Sequence, residues 1–81
     1  METRLAIIAI IVSKSEAAEK INSLLHEYGS YIIGRMGIPY REKNKNVISV
    51  VIDAPQDAIN SLAGKIGRID GVSAKTLYSP D

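Results

Sequence analysis

Apolar residues in this chain recur with two different periods, and the change from one period to the other predicts the order of the secondary-structure elements. Residues 5–12 (LAIIAIIV) are apolar throughout and rich in β-branched side chains, which is typical of a strand covered on both faces. Residues 14–28 carry apolar side chains at helical spacing and predict an amphipathic helix. We expect Ser13 and Glu16 to form a capping box at its start and Gly29 to end it.

The rest of the chain repeats the strand and helix pattern after one additional strand. Residues 31–40 (YIIGRMGIPY) predict a strand that two glycines and a proline interrupt, which indicates an edge strand or a β-bulge. The polar residues 41–46 predict a hairpin loop that leads to a third strand at residues 47–52. A second helix begins near Asp53, and residues 72–78 form the last strand.

The element order β-α-β-β-α-β predicts a single α+β domain over residues 1–81 with the ferredoxin-like fold. Because crossovers are right-handed and consecutive strands tend to pair, the expected sheet has four antiparallel strands in the order 4-1-3-2, with both helices on one face. The first strand is then central, as its two apolar faces require. The hydrophobic pattern also favours a register in which Met36 and Ile38 share a face with three apolar residues of the third strand, Ile48, Val50 and Ile52.

Two helices cover only one face of such a sheet, so its other face is expected to be apolar and uncovered. Alternate residues of the first strand, together with Ile33, Val51 and Leu77, are expected on that face. A small monomer rarely leaves so much contiguous apolar surface in water. The pattern therefore predicts a homo-oligomer, either a dimer or a tetramer.

Composition and charge exclude several classes of function. The chain has ten basic and nine acidic residues and a formal net charge of +1, which provides no long-range field for binding nucleic acid or a membrane. It contains no cysteine, so disulfides and thiolate metal sites are excluded. The apolar run at residues 5–12 is too short to cross a bilayer, and no signal-peptide cleavage pattern follows it. We therefore expect a cytoplasmic protein without a membrane partner and without direct DNA binding.

Candidate ligand-binding residues occur at two places in the sequence. Ser13, Lys14 and Ser15 place two hydroxyls and an ammonium group at a helix start, where an anion can bind. The alternative is that Ser13 only caps the helix. Arg35 either reaches an anionic ligand or a neighbouring subunit, or it forms a cross-strand pair with Asp53.

The sequence offers no combination of side chains that is typical of a catalytic or metal site. His26 is the only histidine, so a transition-metal site within one chain is not supported, and we expect a solvated side chain. His26 and Glu27 are adjacent in a helix and point apart. No nucleophile, base and orienting group occur at usable spacing, so we expect neither an enzyme nor a bound cofactor or metal.

Several segments of the chain resemble one known family. Residues 34–42 (GRMGIPYRE) resemble the signature of the iron-only hydrogenase system regulators, and the similarity continues at residues 26–28, 53–55, 71–73 and 75–76. The resemblance implies an ACT-like domain of the ferredoxin-like fold, a class that often binds small effectors at subunit interfaces. It also implies a more distant relation to the sensor domain of nickel-responsive repressors. The histidine and cysteine ligands of that sensor have no counterparts here, so no nickel site is implied.

The residues and the resemblance together predict a non-enzymatic regulatory or ligand-sensing domain of an iron-only hydrogenase system, acting as a homo-oligomer. An effector site is expected near Ser13, Lys14 and Ser15, with Arg35 contributed from an adjacent subunit. The alternative function is that of a structural or adaptor protein, which binds a partner protein without a small-molecule effector.

Overall fold

The computed structural model describes residues 2–80, which form one four-stranded sheet with two helices. The strands are β1 (Arg4–Val12), β2 (Ile32–Tyr40), β3 (Lys45–Ala54) and β4 (Val72–Tyr78), and the helices are α1 (Ala17–Glu27) and α2 (Gln56–Gly67). Short 3-10 turns at Gly29–Tyr31 and Arg41–Lys43 flank β2. All strand pairs are antiparallel, in the order β2-β3-β1-β4. The predicted ferredoxin-like fold, with the first strand in a central position, is confirmed.

The hydrophobic core lies between the sheet and the helices and is entirely aliphatic. Side chains alternate along β1, so that Ala6, Ile8, Ile10 and Val12 are buried against the helices. The other buried members come from β3 and from both helices: Val50, Ile52, Ala54, Ala17, Ile21, Leu25, Ile59, Leu62 and Ile66. Burial of each large aliphatic side chain stabilises the fold by about 1.5–3 kcal/mol. Among residues 2–80, no polar or charged side chain is buried.

The face of the sheet turned away from the helices is uncovered and apolar, as the sequence predicts. In the sheet, Ile7 of β1 lies between Val51 of β3 and Leu77 of β4. Leu77 is 70% exposed and Ile33 is 65% exposed. The other large apolar side chains that are substantially exposed on this side are Leu5, Ile11, Met36, Ile38, Tyr40 and Val47. We call this surface the open face.

Strand β2 is an edge strand with a β-bulge, so both features that its glycines and proline indicate are present. Ile32 pairs with Ile52, whereas Gly34 pairs with Val51. Ile33 is therefore the extra residue of the bulge. Because side chains alternate with a period of two, one extra residue reverses the faces of all later side chains in the strand.

The bulge changes the register that the hydrophobic pattern favours. Met36 lies opposite Ser49, and Ile38 lies opposite Val47. Both side chains are therefore on the open face, whereas Val50 is buried on the helix-facing side. The expectation that Met36 and Ile38 share a face with Val50 and its neighbours is wrong, because the extra residue shifts the alternation.

Helix α1 begins later than predicted and has no capping box. Glu16 is its N-cap and makes no side-chain capping hydrogen bond. The Ser13 Oγ instead accepts a hydrogen bond from Lys45 Nζ at 2.9 Å, and the Ser13 N–H donates to the Gly71 carbonyl oxygen at 2.7 Å. Ser13 is thus tied to the end of the sheet, and the predicted capping box is wrong. At the other end of α1, Gly29 belongs to the following 3-10 turn.

Both helices are short, with 11 residues in α1 and 12 in α2. Helix α2 follows Pro55, its N-cap, and carries Asp57 in its first turn. A carboxylate at that position interacts favourably with the helix dipole. In the part of the chain that the structure describes, neither helix is long and apolar enough to span a membrane.

Candidate functional site

A small pocket of about 100 Å³ lies where the end of β1 meets the β2–β3 hairpin. Two of the predicted site residues, Ser13 and Ser15, line it together with Arg41 and Lys45 of the hairpin. The Lys45 ammonium group contacts the Ser13 hydroxyl at 2.9 Å. We call this cavity the Ser13 pocket. From the sequence alone, Arg41 and Lys45 are expected only to be solvated residues of a hairpin. The fold places both of them beside Ser13 and Ser15.

The third predicted residue at this helix start, Lys14, extends to a different part of the surface. Its Nζ forms an ion pair with Asp70 Oδ2 at 2.5 Å. The hydrogen bond and the charge of Asp70 raise the pKa of Lys14, and Lys14 in turn lowers the pKa of Asp70. Its aliphatic part passes over Gly71. Lys14 therefore does not belong to the described residues that line the Ser13 pocket.

Arg35 lies on the helix-facing side of β2, opposite Val50. Asp53 lies opposite Leu5 of β1 and belongs to the open face. The alternative in which Arg35 pairs with Asp53 is therefore wrong, because the bulge places the two side chains on opposite faces. Within residues 2–80, the Arg35 guanidinium has no ion-pair or hydrogen-bond partner.

Arg35 lines two adjoining cavities between α1 and β2, which we call the α1–β2 groove. The larger cavity has a volume of about 360 Å³ and is lined by Asn22, Leu25, His26, Gly29, Ile32 and Arg35. The second, of about 190 Å³, shares Asn22 and Arg35 with the first and continues along β2 past Gly37. Asn46 lines both this second cavity and the Ser13 pocket. The groove and the pocket therefore adjoin within one chain.

The groove combines an apolar base with polar side chains at its rim. Leu25 is buried and Ile32 is half-buried, whereas Asn22, His26 and Arg35 are exposed. Such a combination can hold the apolar part of a ligand and orient a polar group. The sequence does not predict that Asn22 lines the groove, because an exposed asparagine in a helix is common and its place beside Arg35 depends on how α1 packs next to β2. In residues 2–80, no group of three or more metal-binding side chains is assembled.

A separate polar cluster joins the two helices. The Tyr28 hydroxyl lies 2.9 Å from Ser61 Oγ and accepts a hydrogen bond from Lys65 Nζ at 3.0 Å. Lys65 also pairs with Glu27 at 3.6 Å. The hydrogen bond with Ser61, followed by that with Lys65, lowers the pKa of Tyr28. The sequence does not indicate this cluster, because Glu27 and Tyr28 come from the end of α1 whereas Ser61 and Lys65 come from α2.

Comparison with known proteins relates the chain to one family over most of its length. The sequence model of the TM1266-like family, described as "Iron-only hydrogenase system regulator, putative", matches residues 4–76. The solved structure of the uncharacterized protein TM1266 from Thermotoga maritima superimposes with a TM-score of 0.91 and 38% sequence identity, covering 95% of this chain and 98% of that chain. No curated protein matches the chain.

Two other solved structures share the fold at low sequence identity. A formyltetrahydrofolate deformylase from Pseudomonas putida has a TM-score of 0.67 and 16% identity, over 94% of this chain and 29% of that chain. The divalent ion tolerance protein CutA1 from Ehrlichia chaffeensis has a TM-score of 0.52 and 13% identity, over 100% of this chain and 86% of that chain. At such identities the similarity concerns the fold alone.

Proposed function

Since the chain belongs to the TM1266-like family of iron-only hydrogenase system regulators, we propose that it is a non-enzymatic regulatory domain that senses a small ligand and acts as a homo-oligomer. The family match supports the regulatory role. One structural observation, the apolar open face of the sheet, carries the proposed assembly. The cytoplasm is the compartment in which we expect it to act.

The area of the open face supports a second copy of the chain as its occupant. Its large apolar side chains are about half exposed. Burial of one such side chain from full exposure removes roughly 60–120 Å² from water, so the face offers on the order of 300–500 Å² of apolar area. A standard protein interface buries about 800 Å² per partner, of which roughly 60% is apolar. The two values agree, so this face can supply the apolar part of a stable interface.

The distribution of polar residues on the open face also supports a dimer. At the centre, Ala9 lies opposite Ser49, and such small side chains let a second sheet approach closely. The two charged residues lie to the sides of this centre, since Lys75 is opposite Ala9 but on the edge strand β4, and Asp53 is toward the end of β3. An apolar centre with a polar rim is typical of protein interfaces. A second copy presents the same surface, so a two-fold dimer is the simplest assembly.

Sedimentation velocity at micromolar concentration tests the assembly. We expect the wild type to sediment as a dimer and Val51→Lys to sediment as a monomer, because the substitution places an ammonium group in the apolar interface. Ser23→Lys is the matched control, since it adds the same charge at an exposed position of α1 and should leave the dimer intact. Circular dichroism of each variant verifies the fold.

Two results of that experiment would contradict the proposed assembly. A wild type that remains monomeric would exclude it. A wild-type oligomer that Val51→Lys leaves unchanged would place the interface on another surface.

The ligand-sensing part of the proposal keeps the predicted residues Ser13, Lys14, Ser15 and Arg35 as candidates. The Ser13 pocket and the α1–β2 groove adjoin through Asn46, which supports one extended binding region in each chain. Arg35 lies on the helix-facing side of β2, away from the open face, so its contribution to the pocket of an adjacent subunit stays part of the proposal through a second contact, at the exposed edge strand β2, as in a tetramer.

A structural or adaptor function is the second candidate, because the same apolar face can be covered by a different protein. Thermal unfolding with a panel of metabolites, nucleotides and metal ions separates the two functions. A ligand at a hundredfold excess over its dissociation constant stabilises the fold by about 2.7 kcal/mol. A panel without any shift, together with a defined partner that co-purifies, would favour the adaptor.

A further inference from the structure

Neither helix covers the helix-facing side of β2, and this leaves the α1–β2 groove open. From Ile33 to Tyr40 every residue of the strand is exposed. The bulge places Arg35 and Gly37 on this side, opposite Val50 and Ile48 of β3. One wall of the groove is therefore a helix surface and the other is an edge strand. Its base is apolar, as Leu25 and Ile32 show.

The fold itself does not explain the glycine at position 37. Its φ is not positive, and a Cβ atom on Gly37 would meet no other atom within 4 Å. A β-branched residue would suit a strand interior better than glycine does. Gly37 lies on the same side of β2 as Arg35, and both line the second cavity. A strand glycine of this kind is typical of a place where a ligand approaches the backbone closely.

Arg35 provides the charge in this groove. Its guanidinium, which is unpaired within the described chain, presents a planar fork of donors that matches the two oxygens of a carboxylate. Asn22 of α1 lines both cavities and adds an amide that donates and accepts hydrogen bonds. Among the residues that line the two cavities, Arg35 is the one permanently charged side chain, and the His26 imidazole at the rim adds a further nitrogen. One arginine balances the single charge of a carboxylate, whereas phosphate-binding sites commonly use clusters of arginines.

We propose that the α1–β2 groove binds a small organic carboxylate. The carboxylate group pairs with Arg35 and receives a hydrogen bond from Asn22, and the apolar part of the ligand lies over Leu25 and Ile32. The larger cavity, of about 360 Å³, is within the size range of small-molecule sites, and the adjoining cavity of about 190 Å³ extends it along β2. This inference rests on the ligand-sensing part of the proposed function, and it specifies the ligand class and the anchoring residue.

An NMR titration of the full chain with sodium acetate, butyrate and hexanoate tests the proposal, with inorganic phosphate as a comparison anion. The fatty acids should shift the backbone amides of Asn22, Arg35 and Gly37. Affinity should rise from acetate to hexanoate by roughly two- to fourfold per added methylene, because the groove has an apolar base. Phosphate should not shift these amides at the same concentration.

Two variants and one control identify the residues responsible. Arg35→Gln should weaken butyrate and hexanoate binding by roughly tenfold or more, because it removes a charged hydrogen-bonding partner. Lys43→Gln removes the same charge from the hairpin and should bind as the wild type does. Gly37→Val should also weaken binding, because its side chain occupies the second cavity beside Arg35, while its thermal stability equals or exceeds that of the wild type. A loss of binding without a loss of stability separates ligand contact from a structural effect.

Several results would overturn the proposal. The proposal is wrong if the backbone amide signals of the groove residues do not shift at millimolar carboxylate. It is also wrong if Arg35→Gln binds carboxylate as tightly as the wild type does. Phosphate that binds the groove as tightly as hexanoate would exclude the carboxylate class. Sedimentation velocity of the same samples tests the proposed dimer independently of the proposed carboxylate site. A dimer that binds no carboxylate contradicts only this inference, and a monomer that binds carboxylate contradicts only the proposed assembly.

Discussion

Gly71 and Lys14 pack so closely that a Cβ atom on Gly71 would lie 2.6 Å from Lys14 Cγ. Gly71 also has a φ of +82°, in the left-handed region that residues with a side chain avoid. Its carbonyl oxygen accepts the hydrogen bond from the Ser13 N–H at 2.7 Å. This one glycine therefore joins the start of β4 to the loop after β1.

Gly71→Ala should destabilise the protein by about 2–4 kcal/mol. The left-handed backbone conformation accounts for roughly 1–2 kcal/mol, and crowding against the Lys14 side chain accounts for the rest. Urea unfolding followed by circular dichroism measures the change. Gly67→Ala is the matched control, since a Cβ atom there meets open space, and it should not destabilise the fold. Equal stability of the two variants would contradict the close packing.

Gly64→Ala should stabilise the protein by about 0.5–1 kcal/mol. Gly64 lies inside α2, where glycine is less favourable than alanine. The nearest atom to a Cβ on Gly64 is Arg68 Nη2, at an ordinary contact distance of 3.9 Å. The same urea experiment measures the gain, which should persist in an Arg68→Ala background. A loss of stability would mean that the helix requires glycine at this position.

Stability that the Lys14–Asp70 pair provides should be lost in acid. The hydrogen bond from Lys14 lowers the pKa of Asp70 below its ordinary value of 3.8. The folded protein therefore binds fewer protons at this group than the unfolded chain does. Its contribution is present above the ordinary pKa and is lost as the pH falls through the lowered, folded value.

The comparison of wild type with Asp70→Asn across pH tests this relationship. The difference in unfolding free energy should be constant near neutrality and should shrink below pH 4. Because both side chains are exposed to solvent, the effect should be small and should decrease further at high salt. A difference that grows as the pH falls would contradict the assigned direction.

The Tyr28 hydroxyl should ionise below the ordinary tyrosine pKa of 10.0, because hydrogen bonds from Ser61 and Lys65 stabilise its charged form. Absorbance titration of the phenolate measures this value as the difference between wild type and Tyr28→Phe. Ser61→Ala should move the midpoint of that difference back toward 10.0, since Ser61 makes the larger contribution. A midpoint at or above 10.0 in the wild type would show that the cluster does not stabilise the phenolate.

The spacing of apolar residues within short segments was sufficient to predict the fold. The unbroken apolar run at residues 5–12 requires cover on both faces, so the first strand had to be central. Helical spacing identified both helices, and the element order restricted the topology to one arrangement. The apolar open face followed from the same alternation, since helices on one side leave Ile7, Val51 and Leu77 on the other.

The candidate site could be predicted only in part. Ser13 and Ser15 do share a pocket, and Arg35 does lie in a cavity. The sequence did not indicate that Lys14 binds Asp70, nor that Asn22 faces Arg35 across a groove. These contacts join residues that are distant in the chain, and no local spacing encodes them.

The sequence by itself determined the order of the elements, the central position of β1 and the presence of an uncovered apolar face, because each depends on periodicity within a short segment. Only the tertiary structure decided which face each side chain of β2 occupies. The single extra residue at Ile33 reverses the alternation, and pairing with β3 determines where that residue is accommodated. For this reason Met36 and Ile38 lie on the open face, and Arg35 lies in the groove beside α1.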